Sequence, residues 1–240
     1  MFKRVLIKLS GEALAGDENN HKIYDGEIVR SIVEDIKEVK NKGTDVMLVV
    51  GGGNIWRGRT APPYMDDAKA DSIGMLATVM NAIYLSEAFR DAGIKSAIMT
   101  PITISGTTKR YMQDDALSYI EKGYVLIFAG GLGHPFFSTD TIAAVRAAEL
   151  YCDCVLYAKT IDGVYDADPR KNENAVKYNT ITYKEIIKRG LKFADISAMD
   201  ICNNKKIRSV AFLLSAEKSI VIACNDDEEL YKIGTKVNFG

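Results

Sequence analysis

The stretch Met47-Leu48-Val49-Val50-Gly51-Gly52-Gly53-Asn54-Ile55-Trp56-Arg57-Gly58 decides the fold of this chain. Its apolar run, rich in β-branched residues, predicts a buried strand, and the three glycines let the backbone turn and approach a ligand closely. Two other apolar runs, at residues 5–11 and 125–133, also end in glycine. Ligands bind at the carboxyl ends of the strands in an open parallel sheet. The three glycine-rich strand ends therefore predict one shared site.

Strand and helix patterns alternate along most of the chain. Apolar residues recur with the period of one element or the other, and helices end at glycines such as Gly43 and Gly93. This alternation is typical of a parallel sheet covered by helices on both faces, so the predicted class is α/β. The pattern predicts helices over 25–42, 68–91, 114–122, 139–151, 183–188 and 197–205, and further strands over 94–100, 154–158 and 209–214.

Three segments do not fit this alternation. Residues 17–20 predict a polar turn, and residues 101–109 predict an irregular or edge segment. Residues 218–224 are compatible with a strand or a helix, because a short β-branched run does not decide the period. No repeat or linker divides the 240 residues, so we expect one domain with two lobes.

Composition narrows the class of partner. The chain has 31 Lys and Arg against 32 Asp and Glu, so it lacks the basic surface of a nucleic-acid binder and a small-molecule partner fits better. The spacing of Cys152, Cys154, Cys202 and Cys224 matches neither a redox nor a zinc motif, which predicts core residues in a reducing cytosol. No signal peptide pattern is present and no stretch approaches 18 apolar residues. We therefore expect a soluble, cytoplasmic protein without a membrane partner.

Two common nucleotide-binding motifs do not match. A Walker A loop requires a lysine after its second glycine, but the near match at 11–16 continues with Asp17. Gly131-Leu132-Gly133 would begin a dinucleotide fingerprint, but Phe136 stands where the third glycine must allow close helix packing. What remains is a phosphate site that is assembled from several loops.

Three cations follow predicted strands and suit such a site. Lys8 and Lys159 would act as point charges and Arg57 as a bidentate donor, and phosphoryl transfer depends on positioning and charge of this kind. Each feature also has a structural interpretation. A lysine at a strand end is usually solvated, residues 136–137 could be core packing or a base-stacking platform, and Asp140 could be only a helix N-terminal charge.

Five motifs lie in order along nearly the whole chain. They are Lys8-Leu9-Ser10-Gly11-Glu12-Ala13-Leu14, Gly51-Gly52-Gly53-Asn54-Ile55-Trp56-Arg57-Gly58, Asp71-Ser72-Ile73-Gly74-Met75-Leu76-Ala77-Thr78-Val79-Met80-Asn81, Pro135-Phe136-Phe137-Ser138-Thr139-Asp140 and Asp162-Gly163-Val164-Tyr165-Asp166-Ala167-Asp168-Pro169. Together they resemble the amino acid kinase family, and within it the bacterial uridylate (UMP) kinases. The helix motif at 74–81 is specific to the uridylate branch, whereas the glycine loops and residues 162–169 are shared with carbamate, acetylglutamate and aspartate kinases.

This resemblance implies a three-layer α/β/α sandwich with a mainly parallel central sheet. One amino acid kinase domain would span 1–240, with a UMP lobe at about 1–153 and an ATP lobe at about 154–240. The implied reaction converts UMP to UDP with ATP in pyrimidine nucleotide biosynthesis, with Mg²⁺ carried by ATP, and the family commonly forms hexamers. Two alternatives stay open: a carbamate or amino-acid carboxylate kinase of the same fold, and a non-catalytic nucleotide sensor.

The resemblance also implies residue roles, position by position, and assigns no direct metal ligand. The implied catalytic residues are Lys8, Arg57 and Asp140. The implied ATP-binding residues are Lys8, Leu9, Ser10, Gly11, Gly53, Arg57, Lys159, Tyr165 and Asp168. The implied UMP-binding residues are Gly52, Asp71, Leu132, Gly133, His134, Pro135, Phe136, Phe137, Ser138 and Thr139.

The chain departs from the family pattern at a few positions. Leu132-Gly133-His134 replaces the usual Thr-Gly-Asn, so a hydroxyl and an amide that could contact UMP are missing. Ala194 stands where methionine is usual, and residues 226–229 form an apparent acidic insertion.

Overall fold

The computed structural model describes residues 1–15 and 22–240, so the predicted turn at 17–20 and His21 lie outside the described residues. The strands are β1 (Arg4–Leu9), β2 (Asp45–Val50), β3 (Ser96–Thr100), β4 (Lys109–Arg110), β5 (Val125–Phe128), β6 (Cys154–Lys159), β7 (Thr180–Thr182), β8 (Arg208–Leu213) and β9 (Gly234–Asn238). The helices are α1 (Glu12–Ala15), α2 (Gly26–Asn41), α3 (Asp67–Asp91), α4 (Gln113–Glu121), α5 (Thr139–Glu149), α6 (Tyr183–Arg189), α7 (Ile196–Asn204), α8 (Ser219–Asn225) and α9 (Leu230–Ile233).

Within the described residues, the strands form one nine-stranded sheet in the order β4-β3-β5-β2-β1-β6-β8-β9-β7. All neighbours pair in parallel except β8 and β9, which are antiparallel. The predicted α/β class with a mainly parallel sheet is confirmed. Because β5, β2, β1 and β6 are consecutive neighbours, their carboxyl ends lie side by side at one edge of the sheet.

Helices cover both faces of this sheet and bury two separate layers of core. Side chains alternate along β1, so that Val5 and Ile7 pack with α2, α3 and α8, whereas Leu6 packs with α4 to α7 on the other face. The four cysteines are buried free thiols, as predicted for core residues. The three-layer α/β/α sandwich is confirmed.

Local signals place the helix ends close to the predicted positions. Asp25 caps α2 by accepting hydrogen bonds from the backbone N–H groups of the first turn, and Thr182 caps α6 in the same way. Helix α5 ends two residues earlier than predicted, and Tyr151 beyond it has the left-handed φ of 57°.

Residues 218–224, which the sequence left compatible with a strand or a helix, are mostly helical in the structure. Residues 218–224 fall mostly in α8, whose N-terminus is capped from another element, because the Asp35 carboxylate on α2 accepts from Ile220 N at 2.9 Å. Burial raises the pKa of Asp35. Strands β7 and β9 were not predicted, since segments of three and five residues carry little periodic signal.

Helix α3 carries an apolar stripe that faces away from the sheet. Its exposed members are Ile73, Leu76, Met80, Ile83 and Tyr84. Small residues such as Ala77 and Ala82 form most of the inner face, with Leu85 and Phe89 near its end. Among the described residues, α3 is the one helix long and apolar enough to span a membrane by length and composition, and 39% of its apolar window is buried. A helix of a globular domain that packs on a sheet and also has an exposed apolar face, as α3 does, meets the same criterion of length and composition.

Candidate active site

The glycine loops after β1 and β2 pack backbone against backbone. A Cβ on Gly11 would lie 2.4 Å from Asn54 Oδ1 and 2.7 Å from Gly53 N, and a Cβ on Gly52 would lie 2.8 Å from the carbonyl oxygen of Gly74. The backbone φ is not positive at Gly51, Gly52 or Gly53. These glycines are therefore required by the close approach of the two loops and α3, and not by a left-handed turn.

An asparagine pair fixes the β2 loop to α3. Asn81, fully buried on α3, donates through Nδ2 to the carbonyl oxygen of Gly51 at 2.6 Å and to Asn54 Oδ1 at 2.8 Å. Asn54 in turn donates to the carbonyl oxygen of Ile23 at 2.9 Å. Buried amides that are fully paired hold a backbone in one geometry. The loop that carries Arg57 therefore starts from a rigid base.

Lys8 and Asp140 form an ion pair at the carboxyl end of β1. Lys8 Nζ lies 2.9 Å from Asp140 Oδ1, and the side chains are 11% and 15% exposed. The same carboxylate oxygen accepts no hydrogen bond from any described residue. The pair is partly buried, and a carboxylate oxygen with one cationic neighbour can still bind a further group.

Lys159 joins this pair from the end of β6. Its Nζ donates to the carbonyl oxygen of Phe193 at 2.7 Å. Burial lowers the pKa of Lys159, while the nearby Asp140 raises it and Lys8 lowers it further. The structure therefore brings together three residues that sequence reasoning selected separately.

Asp195 completes the group, although no role was predicted for it. It occupies the N-cap position of α7 but makes no side-chain bond to its own helix, and instead accepts a short hydrogen bond from Ser138 Oγ. Burial raises the pKa of Asp195, and the charge of Asp140 raises it further, while the neighbouring lysines lower it. We call Lys8, Asp140, Lys159 and Asp195 the charged cluster.

Two helix N-termini meet beside the charged cluster. Ser138 caps α5 by accepting from Thr141 N, and Thr141 Oγ1 lies 2.9 Å from Ser197 Oγ on α7. Helix N-termini carry partial positive charge and favour anions such as phosphate. Together with the two lysines, they make this edge of the sheet suited to a multiply charged anion.

Arg57 lies on the β2 loop in contact with Glu12 and Gly53. Its Nη2 is 2.9 Å from Glu12 Oε1, and its Nε donates to the carbonyl oxygen of Gly53 at 3.2 Å. Glu12 is the first residue of α1, directly after Gly11. The predicted phosphate-binding arginine is therefore held by a carboxylate that the sequence did not single out.

A cavity of about 170 Å³, here the β5 cavity, opens beside the loop that follows β5. Other lining residues come from β2, β5 and α3. The lining includes seven predicted UMP-binding residues: Gly52, Asp71, His134, Pro135, Phe136, Phe137 and Thr139. Thr139 is adjacent in the chain to Asp140, so the β5 cavity borders the charged cluster.

The loop at the mouth of the β5 cavity is held by Asp71. Its Oδ2 accepts a hydrogen bond from Phe136 N at 2.7 Å. Phe136 has a positive φ of 70° and is 73% exposed, a left-handed conformation that a bulky residue adopts at an energetic cost. The carboxylate predicted to hold a ribose is therefore engaged by the loop itself.

A second cavity of about 490 Å³, here the β6 cavity, lies beside the loop that follows β6. Three predicted ATP-binding residues line it: Lys159, Tyr165 and Asp168. Tyr165 donates to Asp162 Oδ1 at 2.6 Å, and Lys177 pairs with Asp162 Oδ2 at 2.7 Å. The hydrogen bond to Asp162, together with burial, raises the pKa of Tyr165 to about 12.

The side chains of several other residues predicted to contact a nucleotide take part in packing or in local hydrogen bonds. Leu9 is fully buried in the core, and Ser10 Oγ accepts from Ala13 N, so Leu9 can offer a ligand only its backbone. Leu132 packs against the core, and Gly133 has a positive φ of 82°. These residues shape the loops around the charged cluster.

Comparison with known proteins agrees with this geometry. The model of the amino acid kinase family matches residues 3–212. The chain belongs to the amino acid kinase family. Its structure is similar to that of a UMP kinase from Ureaplasma parvum, with 32% identity, a TM-score of 0.90 and 99% of each chain covered.

Two further solved structures extend the likeness of this amino acid kinase. A UMP kinase from Bacillus anthracis is 31% identical with a TM-score of 0.92, covering 99% of this chain and 96% of the other. A uridylate kinase from Archaeoglobus fulgidus is 26% identical with a TM-score of 0.75, covering 97% and 99%.

The donors of this amino acid kinase fit a metal ion that arrives with a ligand. Within residues 1–15 and 22–240, no group of three or more His, Cys, Asp or Glu side chains could hold a metal ion. Asp140 Oδ1, however, is buried and accepts no hydrogen bond from the described residues. Mg²⁺ is often held by one or two carboxylates together with substrate phosphates. The residues therefore suit a nucleotide-borne Mg²⁺ better than an all-protein metal site.

Proposed function

We propose that this chain is an ATP-dependent UMP kinase, which transfers the γ-phosphate of ATP to UMP and gives UDP and ADP. The charged cluster carries the proposal. Lys159 lines the β6 cavity, and Asp140 follows Thr139 of the β5 cavity, so two ligands would meet at Lys8. The full-length likeness to three UMP or uridylate kinases supports UMP as the acceptor.

In this mechanism the protein positions charged groups and forms no covalent bond. Lys8 stabilises the negative charge on the transferred phosphoryl group, while Asp140 holds Lys8 at the end of β1. The N-termini of α5 and α7 add partial positive charge. Mg²⁺, when bound with ATP, neutralises phosphate charge, and Asp140 with Asp195 would hold it.

No general base is needed for this reaction. The acceptor is a phosphate oxygen of UMP, which is already ionised near neutral pH, in contrast to a hydroxyl acceptor. Asp140 is therefore assigned to positioning charge and not to proton abstraction. Arg57 would bind a phosphate of either nucleotide bidentately.

The positions of the two cavities support a division of the chain into an acceptor lobe and an ATP lobe. We assign the β6 cavity to adenosine, with Tyr165 and Asp168 beside it, and the β5 cavity to UMP, with Asp71 toward the ribose. The acceptor lobe would span about 1–153 and the ATP lobe about 154–240. Among the departures from the family pattern, His134 lines the β5 cavity and so takes the position of an amide donor toward UMP.

Assembly and location follow from the same assignment. The exposed apolar stripe of α3 provides a surface that a second copy could cover, which supports a homo-oligomer, and we propose a hexamer. The buried free cysteines suit the reducing cytoplasm, where the enzyme would act in pyrimidine nucleotide biosynthesis.

A coupled assay of ADP release tests this function. The purified protein should release ADP when ATP, Mg²⁺ and UMP are present together, and should not when UMP is omitted or replaced by carbamate. ADP release with carbamate and not UMP would indicate a carboxylate-type kinase instead. Binding of both nucleotides without any ADP release would indicate a sensor.

A further inference from the structure

The ion pair between Glu12 and Arg57 joins the loops that leave β1 and β2. Glu12 Oε1 lies 2.9 Å from Arg57 Nη2, while Arg57 Nε also donates to the carbonyl oxygen of Gly53. A Cβ on Gly53 would lie 3.1 Å from Glu12 Oε1, so the carboxylate packs directly over the glycine loop. Glu12 thus lies on the loops that would bind phosphate.

A carboxylate in this position opposes phosphate binding. It repels an incoming phosphate and competes with it for the guanidinium of Arg57. The side chains of Arg57 and Glu12 are 33% and 45% exposed, so solvent and ligands reach both. Exposed ion pairs are weak, whereas a phosphate dianion can bind arginine through two hydrogen bonds. A phosphate can therefore replace the carboxylate.

We propose that Glu12 occupies Arg57 in place of a phosphate group and is exchanged for phosphate when a nucleotide binds. This inference rests on the proposed function for the identity of the anion. Glu12 is then a positioning residue, because it keeps the guanidinium oriented over the loops between turnovers. It also lowers the affinity for phosphate, which favours the departure of product.

Titration of the full-length protein with inorganic phosphate tests the exchange without requiring catalysis. Glu12→Gln removes the competing charge and should tighten phosphate binding by about two- to fivefold, the scale of an exposed ion pair. Glu87→Gln is the matched control, since Glu87 is another exposed glutamate paired with an arginine, Arg90, and does not line a cavity with Glu12. Its phosphate affinity should equal that of the parent.

A double variant identifies Arg57 as the shared partner. In an Arg57→Gln background the gain from Glu12→Gln should fall to less than half in binding free energy, because no guanidinium remains to compete for. An unchanged or weaker affinity in Glu12→Gln, or an equal gain in the Arg57→Gln background, would overturn the proposal.

Steady-state kinetics with ATP and UMP distinguishes the exchange of Glu12 for phosphate from a purely structural role of Glu12. Glu12→Gln should lower the KM for the nucleotide whose phosphate Arg57 binds, ATP or UMP, by a similar factor without raising kcat, the pattern of stronger uniform binding. A higher KM together with a lower melting temperature would show that the pair only supports the loops, and would overturn the exchange. If the parent protein forms no UDP, the proposed function fails, whereas the phosphate titration still decides the role of Glu12.

Discussion

The β6 cavity has a volume of about 490 Å³ and the β5 cavity about 170 Å³. Ligand sites commonly measure 300–1,000 Å³, so the first is already large enough for a nucleoside and the second is not. The polar groups differ as well. Tyr165 is fixed by Asp162 at the β6 cavity, while Asp71 at the β5 cavity is engaged by the backbone of its own loop.

Under the proposed assignment of the cavities, this difference predicts two modes of nucleotide binding. If the β6 cavity binds adenosine as proposed, ATP should bind without rearrangement of the loop after β6. If the β5 cavity binds UMP as proposed, we expect a ribose hydroxyl to replace the Phe136 N–H at Asp71 and the loop to move, which would enlarge the cavity. Relief of the left-handed conformation of Phe136 would favour that motion.

The largest effect is expected at Lys8, where the two sides meet. Lys8→Met should lower kcat by roughly a hundredfold or more, because one preorganised charge that stabilises the transition state is lost. Steady-state kinetics with ATP and UMP measures it. Lys3→Met is the control, since Lys3 is exposed just before the other end of β1. Near-normal kcat with a raised KM for UMP alone would contradict the assigned role.

A smaller effect, confined to one substrate, is expected at Asp168. Asp168→Ala should raise the KM for ATP by about tenfold, the scale of a hydrogen bond to a charged group, and leave the KM for UMP nearly unchanged. Asn172→Ala is a suitable control, because Asp168 accepts a hydrogen bond from Arg170 N and Asn172 likewise accepts one from Asn174 N, but Asn172 does not line the β6 cavity. An effect on UMP alone would assign the loop to the other side.

Strain in the loop at the mouth of the β5 cavity can be measured with a pair of glycine variants. Phe136→Gly should change the free energy of unfolding little, since relief of the positive φ offsets the added chain entropy. Phe137→Gly, without a positive φ to relieve, should lower it by about 1 kcal/mol. Chemical denaturation compares the two variants. Equal losses would show that the loop stores no strain.

The smallest effect is expected from the loop histidine. His134→Asn should leave kcat within about tenfold of the parent, because a general base contributes roughly a hundredfold or more and none is needed here. The acidic limb of kcat/KM for UMP should follow the second phosphate ionisation, near pH ~6, in both proteins. Disappearance of that limb in the variant would place His134 in the chemistry.

Much of this arrangement could be predicted from local sequence. Apolar runs ending in glycine identified β1, β2 and β5, and the positions of Lys8 and Lys159 at strand ends predicted their convergence. Asp195 could not be found in this way, because its position in the chain is that of an ordinary helix cap. Only the tertiary structure shows that it contacts Ser138 and lies near the other three members of the charged cluster.

Two other features, the exposure of the α3 stripe and the contact between Glu12 and Arg57, could not be predicted from the sequence for physical reasons. The apolar stripe of α3 has the period of a core face, yet close packing at Gly52 admits only small residues such as Ala77 on the inner side. The ion pair between Arg57 and Glu12 also depends on the tertiary structure. Glu12 lies in a recognised motif, but its spacing from Arg57 gives no sign that the two side chains meet.

The transfer itself provides the most direct test of the whole account. The protein should be incubated with Mg²⁺, UMP and ATP that is labelled at the γ-phosphate, and the products separated. We expect the label at the β-phosphate of UDP, with ADP formed in equal amount, and loss of both in Lys8→Met. Label released as inorganic phosphate, or retained in ATP while UMP is bound, would contradict phosphoryl transfer between the two cavities.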